Sequence, residues 1–102
     1  MTKPIVVAEH AEIEIDDAQA LSATKGATTH AKFQRAIQDL WTTLAANPGI
    51  GAKLPRTPFR QFPMTGHPYY VIYREEPDGI SVYVFGHTSR KPNYWKKRLR
   101  NP

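Results

Sequence analysis

Two runs of β-branched and aromatic residues, YYVIYR at 69–74 and ISVYVFGH at 80–87, flank the triplet Pro77-Asp78-Gly79. Side chains of this kind suit a pleated, half-buried surface, and Pro followed by Asp-Gly supplies turn chemistry, so the stretch predicts an antiparallel β-hairpin. With Asp78-Gly79 as a two-residue turn, Pro77 pairs with Ile80. Arg74 then lies opposite Tyr83, Ile72 opposite Phe85 and Tyr70 opposite His87. Alternation puts Tyr69, Val71, Tyr73, Ile80, Val82 and Val84 on one face, to be packed against something else. The other face carries Tyr70, Ile72, Arg74, Ser81, Tyr83, Phe85 and His87, and reads as an aromatic surface bearing an arginine and a histidine.

The partner for the apolar face lies upstream. Residues 5–7 (IVV) predict a short strand. Glu9–Ala23 predicts a helix, with acids in its first turns and Ala11, Ile15, Ala18 and Leu21 at helical spacing. Lys25-Gly26 breaks it, and Thr28 or Thr29 can cap a second helix whose stripe is Phe33, Ile37, Leu40, Trp41 and Leu44. Asn47-Pro48-Gly49 ends that helix. So short a connection predicts an antiparallel helical hairpin. Residues 49–68 are rich in Gly and Pro and read as loop, with residues 59–62 as a short candidate strand.

The chain has 102 residues, room for one domain over 1–102 with one modest core. It has no cysteine, which excludes disulfides and thiolate metal sites and permits a reducing compartment. The early apolar run at 5–8 is too short for a signal peptide or a membrane span, so the expectation is a cytoplasmic protein without membrane association. His10, His30 and His67 show no metal-ligand spacing, and no metal or cofactor is expected. The net charge of +5 is unevenly placed. Residues 1–31 are acidic, whereas residues 86–102 carry Arg90, Lys91, Lys96, Lys97, Arg98 and Arg100 without an acid. Lys53, Arg56, Arg60 and Arg74 form a second basic stretch. A positive surface built from both would favour a polyanion, either nucleic acid or an acidic protein. The competing reading of the tail is a solubilising terminus.

The segment GHTSRKPNYW, residues 86–95, is either a lid folded onto the core or the working surface. Packing is the preferred role for Trp95, because an aromatic pair after a Pro92-Asn93 break is a common way to pin a terminus. Arg74 has Glu75, Glu76 and Asp78 as alternative partners, and Ser89 reads as a turn hydroxyl.

Together, the helical hairpin ending in ANPGIG, the arginine in FRQFP, the YYVIYRE strand, the PDG turn, the VYVFGH strand and the basic tail resemble the RelE/ParE superfamily of bacterial type II toxins. The resemblance covers nearly the whole chain. The pattern His87-x-x-Arg90-x-Pro92-x-Tyr94-Trp95 is similar to a subgroup often labelled plasmid-stabilisation proteins. The resemblance implies an α+β fold, a helical hairpin on a small, twisted, mainly antiparallel sheet. It also implies a growth-inhibiting toxin neutralised by a cognate antitoxin that wraps around it.

RelE-like members cleave mRNA on the ribosome, whereas ParE-like members poison DNA gyrase. Metal-free RNA cleavage needs a base, cations for the phosphate and an acid for the leaving oxygen. His87 suits proton transfer, Arg60, Arg74 and Arg90 suit phosphate, and Tyr94 suits base stacking or proton donation. Arg60, Arg74, Arg90 and Tyr94 match the RelE-like pattern. Lys53, Arg56, Lys91, Lys96, Lys97 and Arg98 are the expected RNA-binding cations. The lysine cluster before the second strand is thinned to Lys53, with Pro55 and Pro58 intervening. The residues favour an endoribonuclease, with RNA and the ribosome as partners; the alternative is a non-enzymatic toxin that binds gyrase.

Overall fold

The structure, a computed structural model, describes residues 2–100. The chain runs β1 (Ile5–Val7), α1 (Glu9–Ala23), α2 (Ala27–Ala46), β2 (Ala52–Lys53), β3 (Arg60–Pro63), β4 (Tyr69–Glu76), β5 (Gly79–His87) and α3 (Lys96–Arg100). The five strands form one mixed sheet in the order β1-β5-β4-β3-β2. Only the β1–β5 pairing is parallel. This is the α+β arrangement that the resemblance implies. Among the described residues no helix is long and apolar enough to cross a membrane.

The helical hairpin turns more tightly than Thr28 or Thr29 capping would require. Gly26 sits at φ 114°, a conformation open to glycine, and α2 starts at the next residue without a side-chain cap. Ser22 is buried on α1 and meets His30 Nδ1 at 2.8 Å, tying the two helices together beside the turn. Leu21, expected on the buried stripe, is 51% exposed because Ser22 takes the inner position. Of the other stripe residues, Ala11, Ile15 and Ala18 on α1 and Phe33, Ile37, Leu40 and Leu44 on α2 bury as expected, whereas Trp41 is half-buried against the same core.

The β-hairpin forms, but with a different register. Glu76 pairs with Gly79, so the two turn residues are Pro77 and Asp78, and Arg74 lies opposite Ser81 rather than Tyr83. Gly79 belongs to the strand because of what lies beside it. A Cβ there would meet the Pro4 carbonyl oxygen at 3.0 Å, and Ile80 N–H donates to that same oxygen at 2.9 Å. Docking of the N-terminal strand thus fixes where the turn falls. Further along, Ile72 pairs with Val84 and Tyr73 with Val82, leaving Tyr83 as the extra residue of a β-bulge. The bulge reverses the alternation beyond it. Val84 joins the face away from the helices and Phe85 turns towards them. Tyr69, not Tyr70, therefore lies opposite His87.

Two cores result. The first lies between the helices and the sheet, where the inner faces of α1 and α2 share one cluster with Val71, Tyr73, Ile80, Val82 and Phe85. The second covers the opposite face. Phe59, Ile72, Val84 and Trp95 are buried there, with Tyr70, Tyr83, Tyr94 and Leu99 packed against them. The expected open aromatic surface is thus roofed by the C-terminal segment and the loop before β3, because its apolar area is better buried than left in water.

Candidate functional site

The C-terminal segment is held to the sheet by contacts that begin at Gly86. A Cβ on this residue would meet Tyr70 Cζ at 2.5 Å, so the tyrosine ring can lie across the strand only because the position is glycine. Tyr70 Oη in turn accepts the Trp95 indole N–H at 3.0 Å. Burial raises the Tyr70 pKa, against the opposing pull of that hydrogen bond. Trp95 is 7% exposed, so the packing role expected for it is the one observed.

His87 is half-buried where β5 ends, its ring edge-on to Tyr69 with centroids 4.9 Å apart. Its Nδ1 lies 3.0 Å from the Ser89 main-chain N–H and 2.7 Å from Ser89 Oγ. A main-chain N–H can only donate, so Nδ1 is an acceptor and the neutral ring carries its proton on Nε2. In this tautomer the outward nitrogen is a donor and offers no lone pair to a substrate proton.

Beside His87, Glu14 of α1 organises three groups. Its Oε1 accepts the Phe85 N–H at 3.1 Å and Arg98 Nη1 at 2.7 Å, and its Oε2 accepts the Tyr94 hydroxyl. Arg98 also donates to the Tyr83 carbonyl at 3.2 Å. These are main-chain groups on the side of β5 that β1 covers only as far as Val82. Glu14 and Arg98 therefore close the strand edge that the short β1 leaves bare. Burial first, then hydrogen bonding to the Glu14 carboxylate, pushes the Tyr94 hydroxyl well above the ordinary phenol pKa. The Arg90 guanidinium lies 3.9 Å from the Tyr94 ring centroid.

The remaining arginines of the expected catalytic set lie elsewhere. Arg74 is near the turn end of the hairpin, 3.0 Å from Glu76 Oε1 and 3.2 Å from Tyr83 Oη, with Phe59 and Tyr83 rings nearby. Its hydrogen bond holds the Glu76 carboxyl below its usual range. Arg60 pairs with Tyr73 on the helix-facing side and donates to the Gly51 carbonyl at 2.8 Å. Tyr73 Oη completes that junction, accepting Gly51 N–H and donating to Pro48 O. Arg60 and Arg74 thus project from opposite faces. Arg74 pairs with Ser81 near the turn end of the hairpin and Arg60 with Tyr73 in mid-strand, while His87 ends β5 at the other end, about 20 Å from Ser81 at the usual strand rise.

The other expected cations divide in the same way. Arg98 is neutralised by Glu14, with side-chain exposures of 21% and 13% for the pair. Lys53, Arg56, Arg90, Lys91, Lys96 and Lys97 are exposed. His87 and Arg90 share a shallow depression with Tyr70 and Trp95. Arg56 and Lys96 instead share a larger groove with Arg100, between the loop before β3 and α3. Among the described residues no group of three or more His, Asp or Glu side chains is placed to hold a metal ion. Sequence reasoning missed the roles of Glu14 and Gly86. Glu14 had one signal, its place beside the buried stripe of α1, three residues after Ala11 and four before Ala18.

A family model described as the ParE toxin of the type II toxin-antitoxin system, parDE, matches residues 5–92. No curated protein matches the chain.

Proposed function

The chain belongs to the ParE toxin family of type II toxin–antitoxin systems, and we propose that it acts as a non-enzymatic toxin which binds and poisons DNA gyrase. Family membership makes it a toxin component and implies an antitoxin partner. The observation that carries the mechanistic reading is the dispersal of the expected catalytic residues. His87 is at one end of the hairpin with Nδ1 bound by Ser89, and Arg74 is near the other end with Glu76. Arg60 is on the opposite face at Gly51, and Tyr94 donates to Glu14. Phosphoryl chemistry needs base, acid and cations within hydrogen-bond reach of one phosphate, and these four residues do not surround a common point.

A binding toxin asks for less. Exposed cations on a rigid support steer and orient it on an acidic partner. Arg90, Lys91 and Lys97 supply them, on a segment pinned by Trp95 and Arg98. His87 then has a structural role, shaping the turn through Ser89.

Growth, RNA ends and gyrase supercoiling, followed side by side, separate the two activities. We expect the purified chain to inhibit supercoiling while mRNA stays intact, and a Lys91→Glu/Lys97→Glu variant to lose at least tenfold in inhibition. His87→Gln should remain toxic. Discrete mRNA cleavage on induction, abolished by His87→Gln, would replace this reading with the endoribonuclease.

A further inference from the structure

A hollow of about 120 Å³ lies where the turn between α1 and α2 meets the open end of the β4–β5 hairpin. Leu21, Phe33 and Tyr69 give it apolar walls, and Lys25, His67 and His87 line it with hydrogen-bond donors. No Asp or Glu among the described residues does so. We propose that this hollow binds a small apolar monocarboxylate of about one ring, with its hydrocarbon against Leu21 and Phe33 and its charge on Lys25, His67 and the Tyr69 hydroxyl.

The donors here are uncommitted. Ser89 occupies His87 Nδ1, which leaves the Nε2–H free to donate. The His67 ring meets Phe33 edge-on with centroids 5.4 Å apart and makes no side-chain hydrogen bond among the described residues. Lys25 belongs to no ion pair among them either. Tyr69 stacks on Phe85 and packs against Phe33, with centroids 4.9 and 5.5 Å away, yet its hydroxyl has no partner among the described residues, and burial alone raises its pKa. A half-buried hydroxyl left in this way offers its proton to whatever fills the hollow. Donors of this kind, two of them able to carry charge beside a permanent ammonium, select an anion.

Size and the remaining walls narrow the choice. A cavity of roughly 150 Å³ holds a benzene ring, so a nucleotide or a peptide does not fit within this one. Inorganic phosphate would leave the apolar walls wet, including Leu21, which is 51% exposed and would be covered by a hydrocarbon. The hollow continues past Leu21 and Tyr69 into a second, of about 230 Å³, where Glu14 and Asp17 outnumber Arg90. A second carboxylate on the ligand would be repelled there. The walls are also fixed before a ligand arrives. Lys25 N–H donates to Ser22 O at 3.1 Å, His67 N–H to Met64 O at 3.2 Å and Thr88 N–H to Pro68 O at 2.9 Å, so binding need not order them.

Titration of the intact chain followed by amide NMR tests the proposal with three probes: benzoate, benzylamine and inorganic phosphate. Benzoate should bind best, in the millimolar range or tighter, since so small a ligand is limited to modest affinity. Its shifts should concentrate at residues 21–25, 67–69 and 87. Lys25→Met and Tyr69→Phe should each weaken it by at least about threefold, the loss of one hydrogen bond to a charged group. Lys25 is exposed, so its variant should fold even if the other does not. Lys32→Met, outside the hollow, should bind as wild type. Benzylamine or phosphate binding as tightly as benzoate, shifts centred elsewhere, or undiminished affinity in Lys25→Met would overturn the proposal, and so would the absence of benzoate binding. Supercoiling inhibition by the ligand-free chain reports separately on the proposed toxin target, so failure of either assay leaves the other reading standing.

Discussion

Tyr94 shows at residue scale how position changes the chemistry open to a side chain. Its hydroxyl, which the sequence offers as a proton donor to RNA, instead donates to Glu14, and its ring lies under the Arg90 guanidinium. A phenol whose pKa is higher in the folded than in the unfolded state contributes fully below the unfolded value. That contribution falls as pH rises through about 10 towards the folded value. We therefore expect wild type to lose stability steeply above about pH 10, and Tyr94→Phe, less stable by about 1–2 kcal/mol at neutral pH, to lose less over the same interval. Melting temperatures of both proteins from neutral to alkaline pH would show the curves converging; parallel curves would assign the alkaline loss to other groups.

At the scale of elements, α1 does two jobs. One side packs Ala11, Ile15 and Ala18 into the core, the two alanines letting the helix approach β5 closely. Its flank extends Glu14 to the bare edge of β5 and to Arg98 of α3. The three elements should therefore be energetically coupled. A double-mutant cycle of Glu14→Gln with Arg98→Met, read by urea denaturation, should give a coupling of about 1–3 kcal/mol, as for directly contacting, partly buried charges. A coupling near zero would mean that solvent screens the pair despite its low exposure.

For the molecule as a whole, the sheet is covered on both faces, and the second cover comes from near the chain's end. Residues 93–100 contribute Trp95 and Leu99 over Phe59, Ile72 and Val84. Deleting residues 93–102 should uncover that apolar area. We expect the truncated chain to bind a hydrophobic dye, to melt at least 10 °C lower, since several kcal/mol of burial are lost in a domain this small, and to self-associate. A truncated monomer with the wild-type melting temperature would show that the roof contributes nothing.

The sequence by itself determined the longer local elements, though not β2 or α3. Periodicity located both helices and the two long strands, because amphipathic patterning is set by which side chains must leave water and repeats within each element. Composition likewise marked the basic tail, and motif order across the chain marked the superfamily. Only the tertiary structure decided the register, the faces and the partners of charge. The turn fell at Pro77-Asp78 because Pro4 sits against Gly79, and Val84 and Phe85 exchanged faces because Tyr83 bulges. Arg98, indistinguishable in sequence from Lys97 beside it, was neutralised by an acid 84 residues away. These outcomes depend on contacts between segments distant in the chain, where a shift of one residue moves a side chain to the other face of the sheet, and local pattern carries no information about such distances.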